Sequence, residues 1–244
     1  SYTGRKEAGP LPLGFQAADV AGGSLHGVIG LLAAVVARQQ TGLGQYVDVS
    51  MTDCAFSLNA MAGAGSLACG VEPERESQLL NGGSFYDYYR SRDGRWFSVG
   101  SLEPPFMQAL CKALQRPELA SQGLSARPEI QMSLKNELRM EFERRSFEEL
   151  QACFSAIDAC VEPVLSFAEA VQHPQLQARE VVTQVPRGDG TSQPQIACPL
   201  KFSEGLAAPR HTGVRLGADS QRVLEGVGYS AQQIAEMRES GAVL

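Results

Sequence analysis

The chain has 244 residues, 43% hydrophobic and 20% charged, an ordinary composition that allows one large globular domain or two modest ones. Its net charge is −6 and it has no basic run, which argues against nucleic acid as a partner. The six cysteines include no C-x-x-C pair, which argues against a zinc or thioredoxin-type site, and in a chain of this size reduced thiols are favoured over disulfides.

The longest uninterrupted apolar run, residues 27–37, is far shorter than the roughly 20 residues that cross a bilayer. We therefore predict a cytoplasmic protein with no membrane span. The cysteine spacing also predicts that the chain has no metal site. The chain opens with the loop-like SYTGRKEAGPLPLG and has no initiator Met. This opening predicts that the sequence comes from the middle of a larger protein.

After a Gly- and Pro-punctuated loop over residues 1–18, the chain enters a run of small and aliphatic residues. This run predicts a buried helix that ends near Gln40, where Thr41-Gly42-Leu43-Gly44 supplies a stop. Alternating residues then predict a strand over residues 46–50. A second helix is expected over residues 51–70, and a polar loop follows to residue 83.

The middle of the chain predicts a compact α+β unit. SFYDYYRS and RWFSVGS, joined by a turn at Asp93-Gly94, indicate a hairpin. Helices are expected over residues 104–114, 131–144 and 146–156, then a strand over 161–165 and a short helix over 167–172. Residues 180–216 read as extended segments and loops. The chain closes with helices over residues 219–227 and 230–240, the second opened by Ser230 and Gln233 in capping-box spacing.

One carboxylate stands out. Asp19 lies directly ahead of Gly22, Gly23 and Ser24, at the mouth of the apolar helix. An acid at a helix start accepts backbone N–H groups and suits the positive end of the helix dipole. From local sequence alone, Asp19 is as well explained by a helix cap as by a working group.

Four segments, in this order, resemble one family: QAADVAGG with Asp19, TGLGQYVDVSMTD, NGGSFYDYYRSRDGRWFSVGSLEPPF and DACVEPVLSFAEAVQHP. They look like the family III CoA-transferase superfamily, in particular its α-methylacyl-CoA racemase branch. The resemblance implies an α/β fold with part of a Rossmann-like large domain and a small α+β domain. It also implies an interlocked dimer for the full-length protein, with the large domain's N-terminal portion absent here.

The domains that this resemblance implies follow one another along the chain. They are the remainder of the large domain (1–50), a linker helix and loop (51–83), the small α+β domain (84–162), a return linker (163–195) and the C-terminal part of the large domain (196–244).

The racemase branch implies that 2R- and 2S-methylacyl-CoA thioesters are interconverted by 1,1-proton transfer through an enolate. Asp19 matches one acid/base group, whereas the partner histidine of racemases lies in the absent portion. Glu103, in GSLEPPF, matches the acid that hydrogen-bonds that histidine. No cofactor is implied, because coenzyme A is part of the substrate.

The same resemblance gives weaker expectations for other residues. Asp53 is expected to support the site, and Met51 and Met61 are candidates for an apolar floor beneath the acyl group. Arg5, Lys6 and Arg38 are candidate contacts for coenzyme A. His26, His173 and His211 do not match the catalytic histidine's motif.

Two alternatives remain open. In a CoA-transferase of this superfamily, the acid at the Asp19 position is a nucleophile that forms acyl-aspartyl intermediates. VGSLEPPF lacks the glycine-rich run that such transferases carry there, which favours the racemase. Alternatively, the chain is a non-catalytic C-terminal fragment that needs a complementary N-terminal half, and its apolar flanks would drive that association.

Overall fold

A three-stranded antiparallel sheet and its neighbouring helices hold the main hydrophobic core. The structure, a computed structural model, describes residues 2–205 and 208–244. Its internal contacts divide the chain into two units, Ser1–Val164 and Leu165–Leu244. The first unit contains, in chain order, β1 (Gly4–Arg5), β2 (Gly9–Pro10), a π-helical stretch (Ala17–Ser24), α1 (Leu25–Thr41), α2 (Met51–Ser57), α3 (Ala60–Cys69), β3 (Asp87–Arg90), β4 (Trp96–Val99), α4 (Pro104–Ala113), a 3-10 helix (Pro117–Gln122), α5 (Pro128–Glu143), α6 (Phe147–Phe154) and β5 (Val161–Pro163).

The predicted hairpin is confirmed. Strands β3 and β4 pair antiparallel, and β5 adds to the other edge of β4. Gly94 in the connecting turn has φ +86°, a backbone conformation that glycine adopts without steric cost. Because side chains alternate across a strand, Asp87 and Tyr89 point inward while Tyr88 and Arg90 are exposed.

The helices beside the sheet supply the rest of the core, close to the predicted positions. Helix α6 opens with a capping box in which Ser146 and Glu149 exchange hydrogen bonds. The Phe142 ring stacks on Phe154 at 5.9 Å and lies 5.2 Å from Tyr89. The core comprises Phe85, Tyr89, Phe97, Val99, Met107, Leu110, Cys111, Leu114, Leu119, Leu134, Leu138, Phe142, Phe147, Leu150, Phe154, Ala159 and Val161. All of these residues fall within 84–162.

The apolar helix differs from its prediction in two ways. It begins as the π-helical stretch and continues as α1, ending where Gly42 turns left-handed at φ +75°, as predicted. It is not buried within the described chain: of Ala17–Thr41 only Gly22 is buried, and Ile29 and Leu31 are 62% and 61% exposed. The expectation of burial was wrong for these residues because no described part of the chain covers this face.

Residues Ala17–Thr41 are also long and apolar enough to span a membrane, by length and composition alone. The uninterrupted-run criterion was too strict, because a spanning helix tolerates isolated polar residues such as His26. Core helices of globular proteins and signal sequences meet the same criterion, so the absence of a membrane span stays a prediction.

Two smaller expectations were wrong. Residues 46–50 pair with no strand among the described residues, although they lie against α1, where Val47 Cγ1 would sit 3.0 Å from a Cβ at Gly30. The helix expected over residues 51–70 breaks into α2 and α3. At the break the Asn59 amide donates to the carbonyls of Ala55 and Phe56, which competes with regular helix bonding.

In the part of the second unit that the structure describes, there are short helices and one hairpin. Its elements are α7 (Phe167–Gln172), α8 (Pro174–Ala178), β6 (Val182–Pro186), β7 (Ser192–Ile196), α9 (Ser220–Gly226) and α10 (Ala231–Glu239). Strands β6 and β7 pair antiparallel within the region expected to be extended. Residues 206–207 of that region, like residue 1 of the first loop, lie outside the described residues. The predicted C-terminal helices are confirmed, with the capping box at Ser230 and Gln233.

Candidate functional site

The Asp19 carboxylate is exposed and makes no hydrogen bond to any residue that the structure describes. It lies in the first turn of the π-helical stretch, whose N-cap position is Gln16 and shows no side-chain cap. Only the Asp19 backbone carbonyl is engaged, by the Ser24 hydroxyl at 3.0 Å. Asp19 therefore does not cap the helix in this structure, and its role in chemistry stays a prediction.

Two other predicted site residues belong to α2, the helix packed against this stretch. A Cβ built at Gly23 would lie 3.2 Å from Met51 Cγ, and one at Gly22 would lie 3.5 Å from the Ala55 nitrogen. Asp53 is exposed in the first turn of α2, where its backbone N–H donates to Ser50 Oγ at 3.3 Å. The structure thus carries Asp19, Met51 and Asp53 on two elements in direct contact, and the glycines permit the close approach.

Glu103 occupies the N-cap position of α4, directly before Pro104 and Pro105. Its side chain makes no capping hydrogen bond and is exposed. No contact among the described residues joins Glu103 to Asp19. Both the Asp19 and the Glu103 carboxylates are therefore exposed, and neither caps its helix.

A cavity of about 650 Å³ brings together two further predicted residues, Arg5 and Met61. Its wall also includes Tyr86, Gly100 and Cys160, so it reaches the segment that leads to Glu103. The volume is in the range typical of small-molecule sites. Asp19 and Glu103 are not among its lining residues.

The polar wall of this cavity rests on an ion network that sequence reasoning missed. Asp87 accepts two hydrogen bonds from Arg5, at 2.9 and 2.7 Å, and forms an ion pair with Lys135 at 2.7 Å. The Lys135 ammonium also donates to the Gly82 carbonyl at 2.6 Å. The side chains of Asp87 and Lys135 are only 5% and 3% exposed. The buried ammonium of Lys135 depends on Asp87 for its compensation, whereas Asp87 is also paired with Arg5.

The network shifts the pKa values of Asp87 and Arg5. Burial raises the pKa of Asp87, but the hydrogen bonds from Arg5 and Lys135 outweigh it, so the net pKa lies below its ordinary value. The same carboxylate, with Glu76, raises the pKa of Arg5. The available signal was the alternation Phe85, Asp87, Tyr89, which places an acid on the buried face of a strand.

The candidate coenzyme A contacts lie in different places. The Arg5 guanidinium is already engaged by Asp87 and Glu76. Lys6 is exposed and lines a cleft beside α5, whereas Arg38 lines a groove between α1 and the segment through Val47. Their role in binding coenzyme A stays a prediction. Within residues 2–205 and 208–244, no cluster of His, Cys, Asp and Glu side chains is arranged to hold a metal ion.

The family to which this fold and these residues belong is shown by comparison with known proteins. The profile described as CoA-transferase family III matches residues 1–220. The chain belongs to this family. Its fold is similar to that of a CAIB/BAIF family protein from Brucella suis, with a TM-score of 0.70 and 22% identity over 92% of this chain and 59% of that one.

Curated relatives divide between two activities. The chain is 30% identical over its whole length to an alpha-methylacyl-CoA racemase of Mus musculus, and covers 63% of that protein. It is 29% identical to an acyl-CoA transferase of Fusarium pseudograminearum, over 99% of this chain and 54% of the relative. The chain therefore spans less than two thirds of these relatives, which include a racemase and a transferase.

Proposed function

We propose that this chain carries the Asp19 side of a site that interconverts 2R- and 2S-methylacyl-CoA thioesters. The single observation that carries the proposal is the segment VGSLEPPF, which presents an exposed Glu103 where family transferases carry a glycine-rich run. The similarity to the mouse racemase over the full chain supports the same choice.

The chemistry follows from an acidic carbon next to a thioester. A base removes the α-proton, the electron pair moves into the carbonyl, and the resulting enolate oxygen needs electrostatic stabilisation. A second acid then returns a proton to the opposite face, so no atom is lost or gained overall. In this proposal Asp19 is one acid/base group, because its carboxylate is exposed and unengaged, and Glu103 orients the other.

Several parts of the proposal concern the surroundings of the site. Met51 lies against the stretch that bears Asp19, which suits an apolar floor beneath an acyl chain. Asp53, in the first turn of α2, has a supporting role at the site. Coenzyme A enters only as part of the substrate. We further propose a cytoplasmic homodimer for the whole protein.

Deuterium incorporation at C2 of a 2-methylacyl-CoA in D₂O tests the proposal. We expect exchange by the chain, alone or with a complementary N-terminal segment, and its loss in Asp19→Asn. Exposed Asp48 provides the matched control, because Asp48→Asn removes the same charge from another part of the first unit. Absence of exchange under both conditions would overturn the proposal.

The Fusarium relative supports a second candidate, an acyl-CoA:carboxylate CoA-transferase in which Asp19 is the nucleophile. Hydroxylamine trapping separates the two reactions, because only the transferase forms an acyl-aspartate that hydroxylamine intercepts. Trapped Asp19 would establish the transferase. A chain that shows neither exchange nor trapping, with or without its complement, would support a non-catalytic fragment instead.

A further inference from the structure

The segment that leads to Glu103 is fixed by a pair of long-range hydrogen bonds. Ser101 follows β4 and is fully buried, continuing the inward alternation of Phe97 and Val99. Its hydroxyl donates to the Ala159 carbonyl at 2.5 Å, across 58 residues of chain. The sequence alone does not predict this hydrogen bond, because its acceptor is a backbone carbonyl far along the chain.

A second bond lies beside the first. The Gly100 N–H donates to the Cys160 carbonyl at 2.8 Å. We call these two bonds, from Gly100 and Ser101 to Cys160 and Ala159, the Ser101 latch. The latch is tightly packed, because a Cβ at Gly100 would lie 3.3 Å from Tyr86 Cε2 and 3.6 Å from the Cys160 oxygen.

The acceptor side of the latch is itself constrained. Cys160 adopts φ +50°, a left-handed conformation that is uncommon outside glycine. The next residue, Val161, is already in β5 and pairs with Val99 of β4. The carbonyls of Ala159 and Cys160, which accept the two hydrogen bonds of the latch, are therefore held in place at the end of the sheet.

On its other side Glu103 is fixed by helix α4. Its φ and ψ are −74° and +141°, the extended region imposed on a residue before proline. Its carbonyl accepts the Met107 N–H at 3.0 Å. The backbone of Glu103 is thus held from both directions, while its carboxylate is exposed.

We propose that Ser101 is the positioning residue for Glu103, and that the Ser101 latch fixes the direction in which this carboxylate is presented. The inference rests on the proposed function, in which Glu103 orients an acid/base group. Such a group must be held within a fraction of an ångström of its working geometry, by residues whose own positions are fixed.

The kinetic test compares Ser101→Ala with Ser91→Ala in the C2 exchange assay, on the full chain with its complement where one is required. Ser91 is the matched control, because it is equally buried and its hydroxyl donates to Asp93 at the far end of the hairpin. We expect kcat to fall about tenfold in Ser101→Ala, with KM changed by less than about twofold. Ser91→Ala should leave both constants unchanged.

A double-mutant cycle shows whether Ser101 acts through Glu103. In a Glu103→Gln background, Ser101→Ala should lower kcat no further, because the group that it positions is already gone. A full additional tenfold loss in that background, or an unchanged kcat in Ser101→Ala alone, would overturn the proposal.

Amide hydrogen exchange followed by NMR gives a readout independent of activity. We expect Ser101→Ala to raise exchange at Leu102 and Met107 at least about tenfold, whereas Ser91→Ala leaves both amides protected. Unchanged protection in Ser101→Ala would overturn the latch even if the enzyme is active. An inactive wild-type protein with a confirmed latch would instead show that the proposed function is wrong.

Discussion

Arg5 and Asp87 are joined by two parallel hydrogen bonds, of 2.9 and 2.7 Å, although 82 residues separate them. A bidentate pair of this kind fixes both position and direction. It ties the N-terminal segment to the first strand of the sheet. The same carboxylate compensates the buried ammonium of Lys135, so a single acid stabilises two elements of the first unit.

Removal of the Asp87 carboxylate should destabilise the folded protein. We expect Asp87→Ala to lower the free energy of unfolding by about 3 kcal/mol, because Lys135 is left as a buried charge without its carboxylate. Urea denaturation followed by circular dichroism measures the loss. Glu129→Ala is the control, since its pair with Arg127 is exposed and should contribute less than about 1 kcal/mol. Equal losses in the two variants would contradict the assignment.

The contribution of Asp87 should also depend on pH in a defined direction. The folded pKa of Asp87 lies below its ordinary value of 3.8, so the unfolded chain binds the proton more readily. The advantage of the native protein over Asp87→Asn is therefore complete above the ordinary pKa and declines as the pH falls through the folded value. Glu76 also has a lowered pKa and shares Arg5 with Asp87, so both proteins are compared in a Glu76→Gln background, which removes its titration. A difference that stays constant from pH 7 to pH 3 or below would argue against the effect.

Asp19 should be dispensable for folding and essential for catalysis. We expect Asp19→Asn to reduce C2 exchange by at least about 100-fold, the scale of a lost general base. Because the carboxylate is exposed and unengaged, the free energy of unfolding should change by less than about 0.5 kcal/mol. A parallel measurement on Asp48→Asn should show neither effect. A strongly destabilised Asp19→Asn protein would mean that the acid has a structural role.

The aromatic core should respond to truncation at its centre. We expect Phe142→Ala to cost about 4 kcal/mol, since its ring contacts Tyr89, Phe97 and Phe154 and its loss leaves a cavity. Phe167 is the control, because it is 72% exposed and its replacement by Ala should change stability by less than about 0.5 kcal/mol. Thermal unfolding distinguishes the two. A mild effect of Phe142→Ala would place the core elsewhere.

Local features of the sequence were enough to predict the hairpin at Asp93-Gly94 and the capped helices α6 and α10. Each depends on residues within a few positions of one another, such as Ser146 and Glu149. The strand expected over residues 46–50 failed because alternation reports a suitable surface and not the presence of a partner strand. The burial expected for α1 failed for a similar reason, since apolar periodicity cannot show what covers a helix.

The candidate site shows the same division. Asp19 stood out by its position ahead of an apolar helix and Glu103 by a family resemblance, and the structure adds that both carboxylates are exposed. Asp87 and Ser101 were missed, because their partners lie 48 and 58 residues away along the chain. Both interrupt a buried alternation with a polar residue, and a buried polar residue requires a partner.

The left-handed backbone at Cys160 has a consequence for which sequences this fold accepts. In a library that randomises this position, glycine and asparagine should be enriched among folded variants, whereas valine, isoleucine and threonine should be depleted. The thiol itself is exposed, so it imposes no such selection. The backbone angle φ at position 160 therefore decides which residues are tolerated there, and the chemical nature of the side chain does not.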